Sequence, residues 1–278
     1  MDGEKCLVRP PLDAVVLAGG INTRELYAGY KPGYKALVEI AGRPLISYVL
    51  DALNGSPSIG RIGIVGSEQD LRPAVRPEYA IAPSGDSLMG SVLAALSVFP
   101  DSHMIALVTG DLPMLRSDMI DQFIDLCRES DSDYTDNLFL SVVPEEHFTG
   151  AFAACAKNMN KFRDTAICHG NLVLISPSIA RNEKAMSRIN ALYAERKNPI
   201  SSALAVGLGM GLAYVFGVHI FHALSLKQMA AIASNKFGLG FIPVPFPYPE
   251  VAVDVDEPSD YEIALSVLSG NSSRKHEN

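Results

Sequence analysis

Val15-Val-Leu-Ala-Gly-Gly-Ile-Asn-Thr-Arg24 reads as a buried β-strand that runs into a glycine turn, with an arginine four residues after the second glycine. Glycines at the end of a strand let the backbone approach a phosphate closely, and the N–H groups of the turn can surround an anion. The arginine adds a forked cation for phosphate oxygens. Taken alone, the stretch is equally typical of a tight turn with an arginine on the surface. It lacks the G-x-G-x-x-G motif of dinucleotide-binding folds and the G-K-[ST] motif of P-loops, so neither of these classes is predicted.

The sequence around this stretch alternates short β-branched runs with longer amphipathic segments up to about residue 144. The expected strands are 14–18, 61–65, 79–82, 104–109 and 138–143, and the expected helices between them are 44–53, 87–99 and 117–129. Strands that alternate with helices of about 10–15 residues are typical of parallel βαβ units. We therefore expect an α/β, Rossmann-like three-layer fold, in which helices cover both faces of a mostly parallel sheet.

The second half of the chain is less regular. It predicts a strand at 171–175, a strand at 251–255 and helices at 182–196, 199–212, 225–237 and 258–268. Alternate prolines forbid a helix over 241–249 and favour extended backbone there. The tail from residue 270 onward is polar, and we expect it to be frayed. Residues 1–278 are expected to form a single domain with a helical insertion at about 180–240.

The balance of charged and apolar residues excludes several classes of protein. The chain has 23 Lys and Arg against 31 Asp and Glu, a formal net charge of −8, and 48% of its residues are hydrophobic. Such a chain is too apolar to be disordered, and its acidity opposes nucleic-acid binding. The four cysteines form no C-x-x-C pair, and the first residues are too polar for a signal peptide. We therefore expect a cytoplasmic protein without disulfides.

Four further segments carry residues suited to phosphate and metal chemistry. They are Lys35-Ala-Leu-Val-Glu-Ile-Ala-Gly-Arg-Pro-Leu45, Pro83-Ser-Gly-Asp-Ser87, Val108-Thr-Gly-Asp-Leu-Pro-Met114 and Asp254-Val-Asp-Glu-Pro-Ser-Asp-Tyr261. Together with 15–24 they resemble the pattern of MobA-like nucleotidyltransferases, L-A-[AG]-G-x-x-x-R, K-x-L-x-x-[IL]-x-G-[KR]-P-L, [GC]-D-x-P and D-[IV]-D-T-P-E-D-L. That family includes molybdenum-cofactor guanylyl- and cytidylyltransferases, methylerythritol-phosphate cytidylyltransferase and sugar-phosphate nucleotidyltransferases. No single segment is specific, but the combination spans nearly the whole chain.

The resemblance implies a fold of the nucleotide-diphospho-sugar transferase type and a Mg²⁺-dependent reaction. A nucleoside monophosphate would pass from CTP or GTP to a small phosphorylated acceptor, with release of pyrophosphate. The residues implied are catalytic Lys35 and Arg24, nucleotide-binding Leu17, Ala18, Gly19, Gly20, Gly85, Asp86 and Ser87, acceptor-binding Asn171, and metal-binding Asp111, Asp256 and Asp254.

The chemistry of these residue types agrees with those roles. Asp111 follows a buried strand, at the edge where open α/β sheets bind ligands. Mg²⁺ takes carboxylate and phosphate oxygens, so Asp111 and Asp256 would hold it, with Asp254 as the alternative second ligand. Lys31 is the alternative to Lys35, because the family usually has proline before its lysine, where this chain has a tyrosine. The structural alternatives are that these aspartates cap a turn and the last helix, and that residues 84–87 cap a helix.

The identity of the acceptor stays open at this point. The pattern is closest to molybdenum-cofactor nucleotidyltransferases, but the long insertion departs from those smaller enzymes. A sugar phosphate, an isoprenoid precursor and phospholactate are alternative acceptors. A nucleotide-binding regulatory protein without turnover is the alternative from another class.

The apolar stretch 203–220 has the length of a membrane span, and no charged residue lies between Lys197 and Lys227. A single span there would put Asp111 and Asp256 on opposite sides of the membrane. We therefore expect no stable membrane insertion. A buried insertion and a homodimer interface would both cover the stretch, and a membrane-associated scaffold is a third alternative.

Overall fold

The computed structural model describes residues 10–130, 136–155, 157–194 and 224–275, and the elements below belong to these ranges. The strands are β1 (Leu12–Leu17), β2 (Ile21–Asn22), β3 (Gly33–Tyr34), β4 (Glu39–Ile40), β5 (Arg43–Pro44), β6 (Ile59–Val65), β7 (Ala80–Ala82), β8 (Ile105–Thr109), β9 (Asn137–Pro144), β10 (Asn160–Lys161), β11 (Ala166–Ile175) and β12 (Gly240–Pro245). The α-helices are α1 (Leu45–Gly55), α2 (Glu68–Leu71), α3 (Leu88–Val98), α4 (Ser117–Glu129), α5 (Glu183–Ala194), α6 (Leu226–Phe237) and α7 (Pro258–Lys275).

A mixed sheet forms the centre of the fold. Its strand order is β12-β9-β11-β8-β1-β6-β7, with β10 paired to β11. Strand β1 runs parallel to β6 and β8, whereas β11 runs antiparallel to β8 and β9. The pairs β9–β12 and β6–β7 are parallel. The prediction of an α/β fold with a mostly parallel sheet is confirmed.

Successive side chains of β1 point to opposite faces of the sheet, and on each face they pack against a layer of helices. Ala14 and Val16 belong to the apolar cluster that includes residues of α1 and α4, and Val15 belongs to the cluster that includes residues of α3. All three side chains are buried. This arrangement explains the continuous apolar run of a central strand, because both of its faces are covered.

Serine caps set the starts of two helices close to where the sequence predicts them. The Ser87 hydroxyl accepts a hydrogen bond from the backbone N–H of Gly90 at the start of α3. Ser225 and Gln228 form a reciprocal capping box at the start of α6. Each cap satisfies N–H groups that have no partner within the helix.

The predicted strand at 251–255 is wrong. The segment begins as a single 3₁₀ turn at Pro249–Val251 and then crosses the carboxyl end of β8 without joining the sheet. Strand β8 is already paired on both sides, to β1 and β11, so the segment has no edge there to extend. Its apolar residues, Val251, Ala252, Val253 and Val255, are buried all the same.

The frayed tail predicted from residue 270 is also wrong over part of its length, because α7 continues to Lys275. Gly270 weakens a helix by about 1 kcal/mol relative to alanine but does not end it.

The predicted insertion is described only at its two ends. Helix α5 packs near α6, and α6 lies against β12. The predicted helix 199–212 and the apolar stretch 203–220 lie outside the described residues. Across the described ranges, none of the helices combines the length and the apolar character needed to cross a membrane.

Phe123 of α4 tests the packing of the layer that includes α1 and α4. Its ring is buried and meets the Phe246 ring edge-on, with centroids 5.7 Å apart. We expect Phe123→Ala to lower the free energy of unfolding by about 3–5 kcal/mol, measured by urea denaturation. Asp125→Ala is the matched control, since that side chain is exposed on the same helix. A loss no larger than that of the control would contradict this packing.

Candidate active site

A cavity of about 350 Å³ opens at the carboxyl ends of β1 and β8. The turn after β1 forms one wall, and the loop before α3 forms another. The lining residues are Leu17, Ala18, Gly19, Gly20, Lys35, Ala36, Gly85, Asp86, Ser87, Leu88, Ser91, Thr109, Gly110, Asp111 and Asp254. The seven residues predicted to bind nucleotide therefore lie together around one cavity, although their roles stay predictions.

Glycine is required in both walls because backbone segments approach each other there. A Cβ atom on Gly19 would lie 2.7 Å from the Ser84 Cβ, and one on Gly85 would lie 2.5 Å from the Gly90 carbonyl carbon. Both distances are too short for real carbon contacts. The glycines therefore have a packing role in addition to any contact with a phosphate, and the Ser87 hydroxyl has a structural role as the cap of α3.

Three carboxylates converge beside this cavity. Asp111, Asp254 and Asp256 each offer an oxygen, and the three oxygens lie within 4.8 Å of one another. Asp111 is only 7% exposed, and its Oδ1 atom has no hydrogen-bond partner among the described residues. Burial raises the pKa of Asp111 to about 6, and the charge of Asp254 adds to the effect. Lys35 and the nearby Thr109 hydroxyl oppose this rise.

Lys35 reaches the carboxylates from the wall of the cavity. Its Nζ atom pairs with Asp256 and lies 3.8 Å from Asp111 Oδ2. Burial alone would lower the pKa of Lys35, but the hydrogen bond to Asp256 and the neighbouring carboxylates raise it overall. Lys31, the alternative, is exposed and lines a different surface depression. The geometry therefore favours Lys35 as the cation of this site.

Lys157 is a member of the cluster that sequence reasoning missed. Its Nζ atom lies 3.1 Å from Asp254 Oδ1 and 3.3 Å from Asp260 Oδ2. Asp260 is buried, and the same Oδ2 atom accepts hydrogen bonds from the backbone N–H groups of Asp256 and Glu257. Lys157 and Asp260 thus hold the turn that carries the two acidic residues. The D-V-D-E-P-S-D motif contains Asp260, but nothing in the sequence near Lys157 indicates this contact.

Two predicted residues lie away from both the cavity wall and the carboxylate cluster. The Arg24 guanidinium is 65% exposed and pairs with Glu257, the neighbour of Asp256. The Asn171 amide donates to the Val251 carbonyl oxygen at 3.4 Å and lines a second, apolar cavity. The structure therefore brings Lys35 and the three aspartates together, places Arg24 at the rim and sets Asn171 to one side.

The acidic cluster meets the requirements of a Mg²⁺ site. All three groups offer oxygen, which is the ligand that hard cations prefer, and one buried carboxylate oxygen lacks a partner. Phosphates bound in the cavity would supply further oxygens. Lys35 adds a positive charge beside this cluster.

Comparison with known proteins assigns the chain to a family. The profile of the MobA-like NTP transferase domain matches residues 14–196, which is well over half of the chain. The chain belongs to this family, and the predicted family and enzyme class, nucleotidyltransferase, are confirmed.

Individual relatives agree with this assignment. The bifunctional protein GlmU of Thermodesulfovibrio yellowstonii is 31% identical over 143 residues, 50% of this chain and 30% of that protein. A probable molybdenum cofactor guanylyltransferase of Thermococcus sibiricus is 28% identical over 120 residues, 42% of this chain and 57% of that protein. The chain thus spans well under two thirds of these curated relatives. A hypothetical transferase from Thermus thermophilus superposes with a TM-score of 0.74 and 28% identity, covering 90% of this chain and 99% of that one.

The raised pKa of Asp111 predicts a stability that depends on pH. Because the folded pKa of about 6 exceeds the unfolded value of 3.8, ionisation of Asp111 destabilises the fold as pH rises from about 4 to 6. We expect Asp111→Asn to raise the free energy of unfolding by about 2–3 kcal/mol at pH 7 without divalent metal, measured as a higher midpoint of thermal unfolding than that of the wild type. At pH 4 the difference should nearly vanish.

Asp118→Asn is the control with the opposite sign. The hydrogen bond from Arg116 lowers the pKa of Asp118, so its charge stabilises the fold at pH 7. An Asp111→Asn variant that is less stable than the wild type at pH 7 would contradict the uncompensated burial of this carboxylate.

Proposed function

We propose that this protein transfers a nucleoside monophosphate from a nucleoside triphosphate to a small phosphorylated acceptor and releases pyrophosphate. The observation that carries the proposal is the juxtaposition of three carboxylates and Lys35 with a glycine-walled cavity. Membership of the nucleotidyltransferase family supports it independently.

In this reaction an oxygen of the acceptor phosphate attacks the α-phosphorus, and the bond from that phosphorus to the β-bridging oxygen breaks. The bond electrons leave with pyrophosphate. The turn at 17–20 and the loop at 85–87 would hold the triphosphate and the base, and Lys35 would neutralise charge as it grows on the leaving oxygens. Arg24 at the rim would reach the same phosphates once it leaves Glu257.

Asp111, Asp254 and Asp256 would hold the Mg²⁺ ion that we propose as the cofactor. Bound there, the ion would neutralise phosphate charge and align the reacting groups. Two of the carboxylates that would hold it, Asp111 and Asp256, also position Lys35.

The identities of the nucleobase and of the acceptor are narrower proposals. CTP or GTP is the expected donor, and the similarity to a probable molybdenum cofactor guanylyltransferase favours GTP and a molybdenum-cofactor precursor. A sugar phosphate, an isoprenoid precursor and phospholactate are alternative acceptors, with Asn171 as the proposed acceptor contact. The homodimer and the cytoplasmic location also stay predictions.

A screen with each of the four triphosphates tests the donor. A ligand that binds only the native state raises the midpoint of thermal unfolding. We expect one triphosphate with Mg²⁺ to raise it most and to support pyrophosphate release when phosphorylated acceptors are added. Triphosphate binding without pyrophosphate release for any acceptor would favour a regulatory protein.

Lys35→Ala tests the role of the lysine in the reaction. We expect kcat to fall about 10²-fold, about 2.7 kcal/mol, with a smaller change in KM for the triphosphate, since the charge of Lys35 acts most on the leaving group. Steady-state pyrophosphate release measures both constants. Lys31→Ala is the matched control, because that lysine is exposed nearby in the same loop, and its kcat should stay unchanged. If the two variants exchanged these effects, Lys31 would be the catalytic lysine.

A further inference from the structure

A second cavity of about 260 Å³ adjoins the nucleotide cavity along one face of the sheet. Leu17, Leu88 and Thr109 line both cavities, so the two cavities meet at these side chains, which we call the junction. The second cavity extends from this junction between α3 and β11, past Val92 and Val173.

The lining of this second cavity is apolar apart from its end at the junction. Among the described residues that line it, Thr109 and Asn171 are the ones with polar side chains, and both lie towards the carboxyl end of β8. The Thr109 Oγ1 atom is buried at this end and lies close to the Asp111 carboxylate, whose pKa it lowers. The polar end of the second cavity is therefore the end next to the carboxylate cluster.

The apolar lining with one polar end determines which kind of ligand the second cavity favours. A sugar or a nucleobase would lose hydrogen bonds to water in the apolar part and would gain none. A hydrocarbon group would gain the full benefit of burial there, while a phosphate attached to it would remain at the junction. Thr109 lies two residues before Asp111, so such a phosphate would face the carboxylate cluster.

We propose that the acceptor is a phosphorylated hydrocarbon, with its apolar chain in this second cavity and its phosphate between Thr109 and the nucleotide. This inference rests on the proposed function, but it takes a hydrocarbon phosphate as the acceptor in place of the molybdenum-cofactor precursor that the similarity to the guanylyltransferase favours. Leu88 at the junction is 61% exposed, and the proposed acceptor would cover it.

Titration calorimetry with simple phosphates tests the proposal. The full chain is first loaded with Mg²⁺ and an α,β-methylene analogue of the triphosphate that stabilises it most. Ethyl, butyl and hexyl monophosphate and glucose 1-phosphate are then compared. We expect affinity to rise about fourfold per methylene, which corresponds to about 0.8 kcal/mol, until the cavity is filled. Glucose 1-phosphate should bind more weakly than hexyl phosphate.

Two variants test whether the rise in affinity with alkyl chain length arises in this cavity. Val92→Phe fills it from α3 and should abolish the dependence on chain length while the analogue still binds. Ser97→Phe is the matched control, because Ser97 is exposed on the same helix, and the dependence should persist in it. Val173→Thr keeps the side-chain shape but adds a hydroxyl, and it should weaken hexyl phosphate about 3–10-fold relative to ethyl phosphate.

The outcomes separate this inference from the proposed function. Analogue binding together with equal affinities across the alkyl series, or with a preference for glucose 1-phosphate, overturns the hydrocarbon acceptor alone. A length dependence that survives in both Val92→Phe and Val173→Thr also overturns it, because the chain would then bind elsewhere. Failure of the wild type to bind any triphosphate or analogue overturns the proposed function itself.

Discussion

The candidate active site depends on one backbone hydrogen bond, from the N–H of Val255 to the carbonyl oxygen of Asp111, at 3.2 Å. This bond holds residues 251–255, the crossing segment, against the carboxyl end of β8. Asp254 and Asp256 flank Val255, so the bond places both of them beside the buried Asp111 carboxylate. The side chain of Val255 is buried in the apolar cluster that includes residues of α7. Apolar burial and this hydrogen bond, together with the contacts of Asp260 and Lys157 with the same turn, thus fix the position of the acidic groups.

Bringing these acids together has an electrostatic cost that two lysines offset only in part. Lys35 and Lys157 face Asp111, Asp254, Asp256 and Asp260, which leaves an excess of negative charge in the described cluster. An excess of this sign, partly shielded from water, attracts cations more strongly than an exposed cluster would. The raised pKa of Asp111 has the same origin in burial and in the neighbouring Asp254 charge. The clustered carboxylates, which would hold a cation, therefore also destabilise the fold when no cation is bound.

The sequence predicts the sheet and its helices well because their signals are local. Apolar runs and serine caps identify β8, α3 and α4 to within about a residue. The strand predicted at 251–255 is wrong because a short apolar run reports burial, whereas strand pairing depends on whether a neighbouring edge is free. Lys157 was missed for a related reason, since its partners lie about a hundred residues away. The motifs named most of the residues around the cavity, but they could not show that Arg24 pairs with Glu257.

Because the crossing segment comes late in the sequence, the parts of the site are synthesised at different times. Asp111 and Asp256 are 145 positions apart, and Lys35 lies further still from the residue it pairs with. Closing such long loops is slow compared with forming local helices, and a chain emerges from the ribosome with its N-terminal part first. The glycine segments at 17–20 and 85–87 and the Asp111 carboxylate are therefore synthesised before Asp254 and Asp256, and the carboxylate cluster is complete only after the segment at 251–255 has crossed β8.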